Sequence, residues 1–237
     1  MKKLFVFTIV GLTALFLSSQ FFESSSKSED LSVSSITSDK TQTKTLRSVA
    51  SVELGQKLKQ LDDLENCLDS RKCGFSNSDS REYDLEVGRA IKVELEKLYE
   101  YISDEEIEDE WVSELGRRYI QFEDGHIKEA ALMLLSTQAP SDKNLEVVLS
   151  EVISFHSAPL VELGLLELTK YKTPVWNRRI DESFMKNLNS GSLVVRQLLA
   201  KKISQFLTND NRAMYKEFAA TTNDSKVKRY IEAALSK

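Results

Sequence analysis

Apolar residues recur three and four positions apart through most of the chain beyond residue 47. This spacing places them on one face of a helix, so it predicts amphipathic helices over about 48–68 and 80–102. The residues that follow this spacing are Val49, Val52, Leu54, Leu58, Leu61, Leu64 and Leu68 in the first segment, and Leu85, Val87, Ile91, Leu95, Leu98 and Ile102 in the second. Only eight glycines and three prolines interrupt 237 residues, which favours long helices over a turn-rich β-protein.

The second half of the chain repeats one pattern four times. Taking one apolar residue in each copy as position zero, the copies are 33, 35 and 32 residues apart, with position zero at Ile127, Leu160, Val195 and Val227. A good helix N-cap stands three residues before each of them, at Asp124, Ser157, Ser192 and Asp224. Apolar residues follow at position +8, at Leu135, Leu168, Ile203 and Leu235. A fixed period with the same cap and core spacing predicts a helical repeat.

Each copy is preceded by a second helical pattern. These partner helices are predicted at about 105–122, 142–154, 174–188 and 209–221. Pro174 stands at the start of one of them, where a missing N–H costs nothing. The chain therefore predicts an all-α fold, with a helical pair over 48–104 followed by four stacked antiparallel pairs over 105–237.

The second helices of these pairs resemble the HEAT-repeat family. Their segments read IKEAALMLL, LVELGLLEL, VRQLLAKKI and VKRYIEAAL, similar to the family's V-R-x-A-A-x-x-x-L pattern. The resemblance covers about 105–237 and implies a right-handed α-solenoid that binds other macromolecules. A basic residue follows position zero at Lys128, Arg196 and Lys228, whereas the second copy has Val161. These three residues are candidates for a partner-binding stripe on the concave side; alternatively, they solvate exposed faces or link adjacent repeats.

The N-terminus predicts export. Lys2 and Lys3 precede an uncharged apolar run at 4–17, so 1–22 is interpreted as a cleaved signal peptide or as an uncleaved anchor tethering the chain to the inner membrane. The Ser- and Thr-rich segment 23–47 is predicted to be a disordered linker. Both alternatives place the domain in the periplasm or outside the cell.

The only two cysteines, Cys67 and Cys73, are close in sequence, and in an exported chain such a pair predicts a disulfide. Reduced structural thiols, or a metal site with His126 and His156, are the alternatives. The spacing fits zinc poorly, because zinc sites generally use tightly spaced ligand pairs. We therefore expect neither a metal nor a cofactor.

The sequence contains few motifs that are typical of catalysis or of ligand binding. No nucleophile elbow, metalloprotease motif or phosphate loop is present, and a net charge of −5 argues against nucleic acid. The sequence therefore predicts a non-enzymatic scaffold that binds a protein partner in the bacterial envelope, of undetermined oligomeric state. The alternative is a hydrolase, or its accessory, acting on a cell-wall polymer through groove carboxylates such as Glu105, Glu106 or Glu108. Acidic residues at 104–110 otherwise suit a solvated helix start, capped by Ser103 or Asp104.

Overall fold

The computed structural model describes the backbone at residues 40–75 and 79–237, and the side chains within those ranges from residue 52 onward. This part of the chain contains ten α-helices and no β-strand. The helices are α1 (Lys40–Ser70), α2 (Ser80–Asp104), α3 (Glu110–Ile120), α4 (Gly125–Ser136), α5 (Asp142–Val147), α6 (Ala158–Leu168), α7 (Pro174–Ser190), α8 (Leu193–Lys202), α9 (Arg212–Thr221) and α10 (Ser225–Leu235). The all-α prediction is therefore confirmed. The segment interpreted as a signal or anchor, 1–22, lies outside the described residues.

Two predicted boundaries are wrong. Helix α1 begins at Lys40, so residues 40–47, assigned to the linker, are helical. No glycine or proline interrupts 40–54, and extending an existing helix costs far less than starting one. Helix α3 begins at Glu110 with Asp109 as its cap, rather than at about 105. Residues 105–109, four of which are acidic, form the loop before it.

Gln138 explains this late start of α3. Its side-chain Nε2 donates to the Ile107 carbonyl at 2.9 Å, and its Oε1 accepts from the Asp109 N–H at 2.8 Å. Gln138 is buried, so both contacts are shielded from water. A side chain some thirty residues downstream thus holds the end of the loop in place, with Asp109 extended, which local helix propensity does not reveal.

The even-numbered helices pack in chain order. Helix α4 contacts both α2 and α3, α6 contacts α4, α8 contacts α6, and α10 contacts α8 and α9. Helix α1 joins this body through the fully buried Leu61 and through Arg118 of α3, which forms ion pairs with Asp62 and Glu65. Every helix from α3 to α10 therefore lies against a neighbour in sequence or one pair away.

Equivalent positions in the four copies are buried to similar extents. Position zero is buried in all four, at no more than 2% exposure for Ile127, Leu160, Val195 and Val227. Position +8 is buried in three copies, whereas Leu235, near the chain end, is half-buried. All four predicted N-caps precede their helices, and the side chains of Asp124, Ser192 and Asp224 accept hydrogen bonds from backbone N–H groups of the first turn.

Helix α6 approaches its pair partner closely at Gly164. The second half of that partner is a π-helical turn, Val148–Val152, following α5. A Cβ on Gly164 would lie 2.5 Å from Cγ1 of Val152. Glycine is therefore required at this position +4, where the other copies carry Ala131, Leu199 and Ile231.

None of the described helices combines the length and the apolar character needed to cross a bilayer.

Candidate protein-binding surface

The structure joins the two cysteines. Cys67 and Cys73 form a disulfide with their Cα atoms 5.5 Å apart, so the predicted bridge is confirmed. The fully buried Tyr83 of α2 braces it: its hydroxyl donates to the Cys67 carbonyl at 2.9 Å and accepts from the Cys73 N–H at 3.3 Å. This bridge favours an oxidising, non-cytoplasmic compartment.

Lys128 is placed inside the fold. Its side chain is 3% exposed, and its ammonium donates to the Ile120 carbonyl at the end of α3 and to Glu151 at 3.0 Å. The ammonium also lies 5.3 Å from the centre of the Phe155 ring. Lys128 therefore connects α3, α4 and the π-helical turn, and it does not lie on an exposed stripe.

The other two basic residues predicted to bind a partner, Arg196 and Lys228, lie in environments that differ from that of Lys128. Arg196 of α8 lies 3.8 Å from Asp224, the cap of α10, so it links one copy to the next. Lys228 is half-buried, and no hydrogen bond or ion pair of its side chain occurs among the described residues. The three residues thus have different environments. Partner binding by Arg196 and Lys228 stays a prediction.

The carboxylates considered for hydrolysis are exposed to solvent. Glu105, Glu106 and Glu108 are all exposed in the loop between α2 and α3. Within the described ranges, no group of three or more His, Cys, Asp or Glu side chains is arranged to hold a metal ion.

A surface that sequence reasoning missed lies on α4 and α6. We call it the apolar strip and define it as Met133, Leu163 and Leu166. Leu166 is 67% exposed, whereas Met133 and Leu163 are half-buried. The strip is lined on both sides by depressions, so its apolar side chains are accessible from two directions.

The α6–α8 depression, of about 470 Å³, is bordered by charge. Glu129 and Glu162, which occupy position +2 in successive copies, line it together with Lys202. Lys202 lies 3.5 Å from Glu162, and no ion pair involves Glu129 among the described residues. This rim therefore offers one paired and one unpaired carboxylate beside exposed apolar surface.

The α4–α6 depression, of about 260 Å³, is mainly apolar. Leu132, Met133, Leu163 and Leu166 form its walls, and Glu167 and Lys170 are its charged lining residues. Lys170 pairs with Glu167 at 2.9 Å and donates to the Ser136 carbonyl. Burial raises the pKa of Glu167, an effect that Lys170 opposes.

Another perturbed carboxylate, Asp181, lies on α7 and is accounted for by contacts within the fold. Burial raises the pKa of Asp181 on α7, while hydrogen bonds from Tyr215 and Asn211 of the next pair oppose the rise. This cluster links α7 to α9.

Comparisons of the chain with protein-family models, with curated proteins and with solved structures each found no match.

Proposed function

We propose that the region from about 105 to 237 is a HEAT-like α-solenoid that serves as a non-enzymatic scaffold and binds a protein partner in the bacterial envelope. Three observations support the solenoid: the even helices pack in chain order, position zero is buried in every copy, and the same cap position opens each second helix. Helices α1 and α2 form a further pair at its N-terminal side. In such an array each pair covers the apolar face of its neighbour.

The location follows from two independent features. The charged, apolar and polar order of residues 1–22 is typical of an export segment. The Cys67–Cys73 bridge is stable only where thiols are not kept reduced. The domain therefore operates in the periplasm or outside the cell.

The apolar strip is the observation that carries the binding function. Leu166 contributes nothing to the core at 67% exposure, and it adjoins Leu163 and Met133 rather than standing alone. Scattered exposed leucines are ordinary, whereas a contiguous apolar patch with a polar rim marks an interaction site. The rim supplies Glu129, Glu162 and Lys202, a mixed-charge border of the kind that surrounds protein interfaces.

A catalytic function has less support than protein binding does. A hydrolase acting through the 105–108 carboxylates needs an acid and a base that converge on one bond, with at least one of them shielded from water. Glu105, Glu106 and Glu108 are exposed on a loop. Around the strip, Glu162 and Glu167 are held in ion pairs with Lys202 and Lys170.

Site-specific photocrosslinking in intact cells tests the proposal. A benzophenone amino acid at position 166 is expected to capture a distinct protein. The same group at position 175 is the matched control, because Val175 of α7 is also an exposed apolar residue, at 76%, but lies outside the strip. Adding Glu129→Lys and Glu162→Lys to the 166 probe should weaken capture, since both border the strip. Identical products from positions 166 and 175, or none from 166, would contradict the proposed surface.

A further inference from the structure

The carboxylate of Glu129 lies beside the apolar strip without a cation of its own. The described lining of the α6–α8 depression carries two carboxylates, those of Glu129 and Glu162, and one ammonium, that of Lys202. Lys202 lies 3.5 Å from Oε1 of Glu162. Glu129 is half-buried, its oxygens are accessible to solvent, and it forms no ion pair within the described ranges. The lining therefore holds one negative charge in excess.

The nearby cations of α4 and α6 are committed elsewhere. Lys128, the neighbour of Glu129 in sequence, donates to the end of α3 and to Glu151 inside the fold. Lys170 is paired with Oε2 of Glu167. The other oxygen of Glu167, Oε1, is unpaired, but that atom is inaccessible to solvent, so an entering group cannot reach it. The accessible unpaired carboxylate beside the strip is therefore that of Glu129.

Covering the apolar strip also covers Glu129. Leu163 and Leu166 of the strip line the same depression as Glu129, so a partner that packs on these leucines removes water from the carboxylate as well. Burying a charge is strongly unfavourable unless the charge is paired. Because the described residues supply no cation to Glu129, the partner itself must bring a positive charge to this point.

We propose that the partner inserts one arginine into the α6–α8 depression, with its guanidinium between Glu129 and Glu162. This inference rests on the proposed function and names the chemistry that the partner presents. The aliphatic stem of the arginine lies against Leu163 and Leu166, and apolar residues that flank the arginine cover the rest of the strip.

The arrangement of the two carboxylates favours arginine over lysine. Glu129 and Glu162 occupy position +2 of successive copies and line one depression, so they approach an occupant from two sides. A guanidinium presents five N–H donors in a planar fork and can serve both carboxylates, whereas a lysine ammonium is a compact, strongly hydrated point charge. Arginine is also enriched in protein interfaces, from which lysine is depleted.

A metal ion fits the depression less well than a guanidinium does. Calcium takes about six to eight oxygen ligands, and two carboxylates with one of them paired to Lys202 fall short of that set. The volume of about 470 Å³ and the leucine walls suit an organic cation with an apolar stem.

Peptides that differ in one charge test the anchor without a known partner. The full-length protein, labelled with ¹³C at its leucine methyl groups, is titrated with acetyl-Leu-Arg-Leu-amide and with the citrulline analogue, in which an oxygen replaces one guanidinium nitrogen and removes the charge. We expect the Leu163 and Leu166 methyl resonances to shift, and the arginine peptide to bind about three- to tenfold more tightly at low ionic strength. This preference should shrink as salt is added.

Three results of the titrations would overturn the proposal. They are equal affinities of the arginine and citrulline peptides, no binding at millimolar peptide, and shifts confined to methyl groups outside the depression. A lysine peptide that binds as tightly as the arginine peptide would exclude the role of the guanidinium fork.

Two substitutions should change the preference in opposite directions. Glu129→Gln removes the unpaired charge at nearly constant shape and should reduce the preference for arginine to less than about twofold. Lys202→Met removes the cation that competes for Glu162 and should increase the preference. Glu232→Gln, at an exposed position of α10 outside the depression, is the matched control for the change in net charge and should leave the preference unaltered.

An unchanged preference in Glu129→Gln, or a lower one in Lys202→Met, would exclude this site. The comparison of the peptides on the unmodified protein decides the question even if a variant does not fold.

The anchor and the proposed function fail in different ways. Capture at position 166 without any preference for the arginine peptide would remove the arginine anchor and keep the protein-binding strip. A clear preference for the arginine peptide without capture would keep a site for basic segments and remove the envelope partner.

Discussion

Replacing Lys128 with methionine should destabilise the fold strongly, although charged side chains are usually on the surface, because Lys128 is buried. Methionine preserves the aliphatic stem and removes only the ammonium. The buried Ile120 carbonyl then loses its donor, which costs about 1–3 kcal/mol. Losing the contact with the Phe155 ring adds about 0.5–1 kcal/mol. Glu151 is partly exposed and returns to water at little cost. The expected loss of unfolding free energy is therefore about 1.5–4 kcal/mol.

The repeat provides matched controls for this substitution. Lys228→Met changes the equivalent residue of the last copy, whose side chain is half-buried and makes no hydrogen bond or ion pair in the described region, so a change within about 0.5 kcal/mol is expected. Arg196→Met should fall between them, because Arg196 only approaches Asp224 at 3.8 Å. The predicted order of destabilisation is Lys128, then Arg196, then Lys228.

Urea unfolding followed by circular dichroism and by tryptophan fluorescence measures this order. The chain's two tryptophans, Trp111 on α3 and Trp176 on α7, report on two parts of the array. With a denaturant slope of about 2 kcal/mol/M, the Lys128→Met midpoint should fall by roughly 1–2 M. If Lys128→Met lowers the midpoint no more than Lys228→Met does, the buried three-helix contact of Lys128 does not exist in solution.

Three further perturbations follow from other parts of the structure. Replacing both Cys67 and Cys73 with serine should lower the melting temperature by an amount equivalent to about 2–3 kcal/mol, measured by calorimetry, while mass spectrometry of the unmodified protein should find no alkylatable thiol. Burial holds the pKa of Glu167 above its unfolded value, so its contribution to stability is greatest below the unfolded pKa and falls as pH rises through the folded pKa. The melting temperature of Glu167→Gln relative to the unmodified protein should therefore rise between about pH 4 and pH 7, and a constant difference would contradict the assignment. Gly164→Ala places a methyl group 2.5 Å from Val152 and should cost about 1–3 kcal/mol in urea unfolding; an unchanged midpoint would mean that α6 does not approach the π-helical turn this closely.

The helices and their buried faces were readable from the sequence because periodicity and caps are local signals. Position zero and the caps Asp124, Ser192 and Asp224 act within one turn of their own helix. The start of α3 could not be predicted, since it depends on Gln138, in the loop after α4, contacting Ile107 and Asp109. The early start of α1 was missed for another reason. The Ser- and Thr-rich composition suggested a linker, but serine and threonine disfavour a helix only weakly, and no glycine or proline is present there to end it.

The candidate surface was harder to predict than the fold. The Cys67–Cys73 bridge followed from spacing and compartment alone. Neither the burial of Lys128 nor the unpaired oxygen of Glu167 has a sequence signature, because each depends on which side chains of other helices lie beside it. Sequence reasoning therefore identified charged residues at repeated positions but could not distinguish a buried contact from an exposed one.

Helix geometry nevertheless explains why the surface lies where it does. At about 100° per residue, position +1 lies only about 20° from the buried position +8, so a basic residue there is at the edge of the buried face, as Lys128 is. Position +6 lies on the opposite side, facing solvent. It holds Met133 and Leu166 in the first two copies but Lys201 in the third, where a charged residue is exposed. Because the fold accepts lysine at this position, core packing does not require an apolar residue there in the first two copies. Contact with a partner outside the chain supplies a reason for Met133 and Leu166. We therefore expect the partner to contact the repeats that contain α4 and α6.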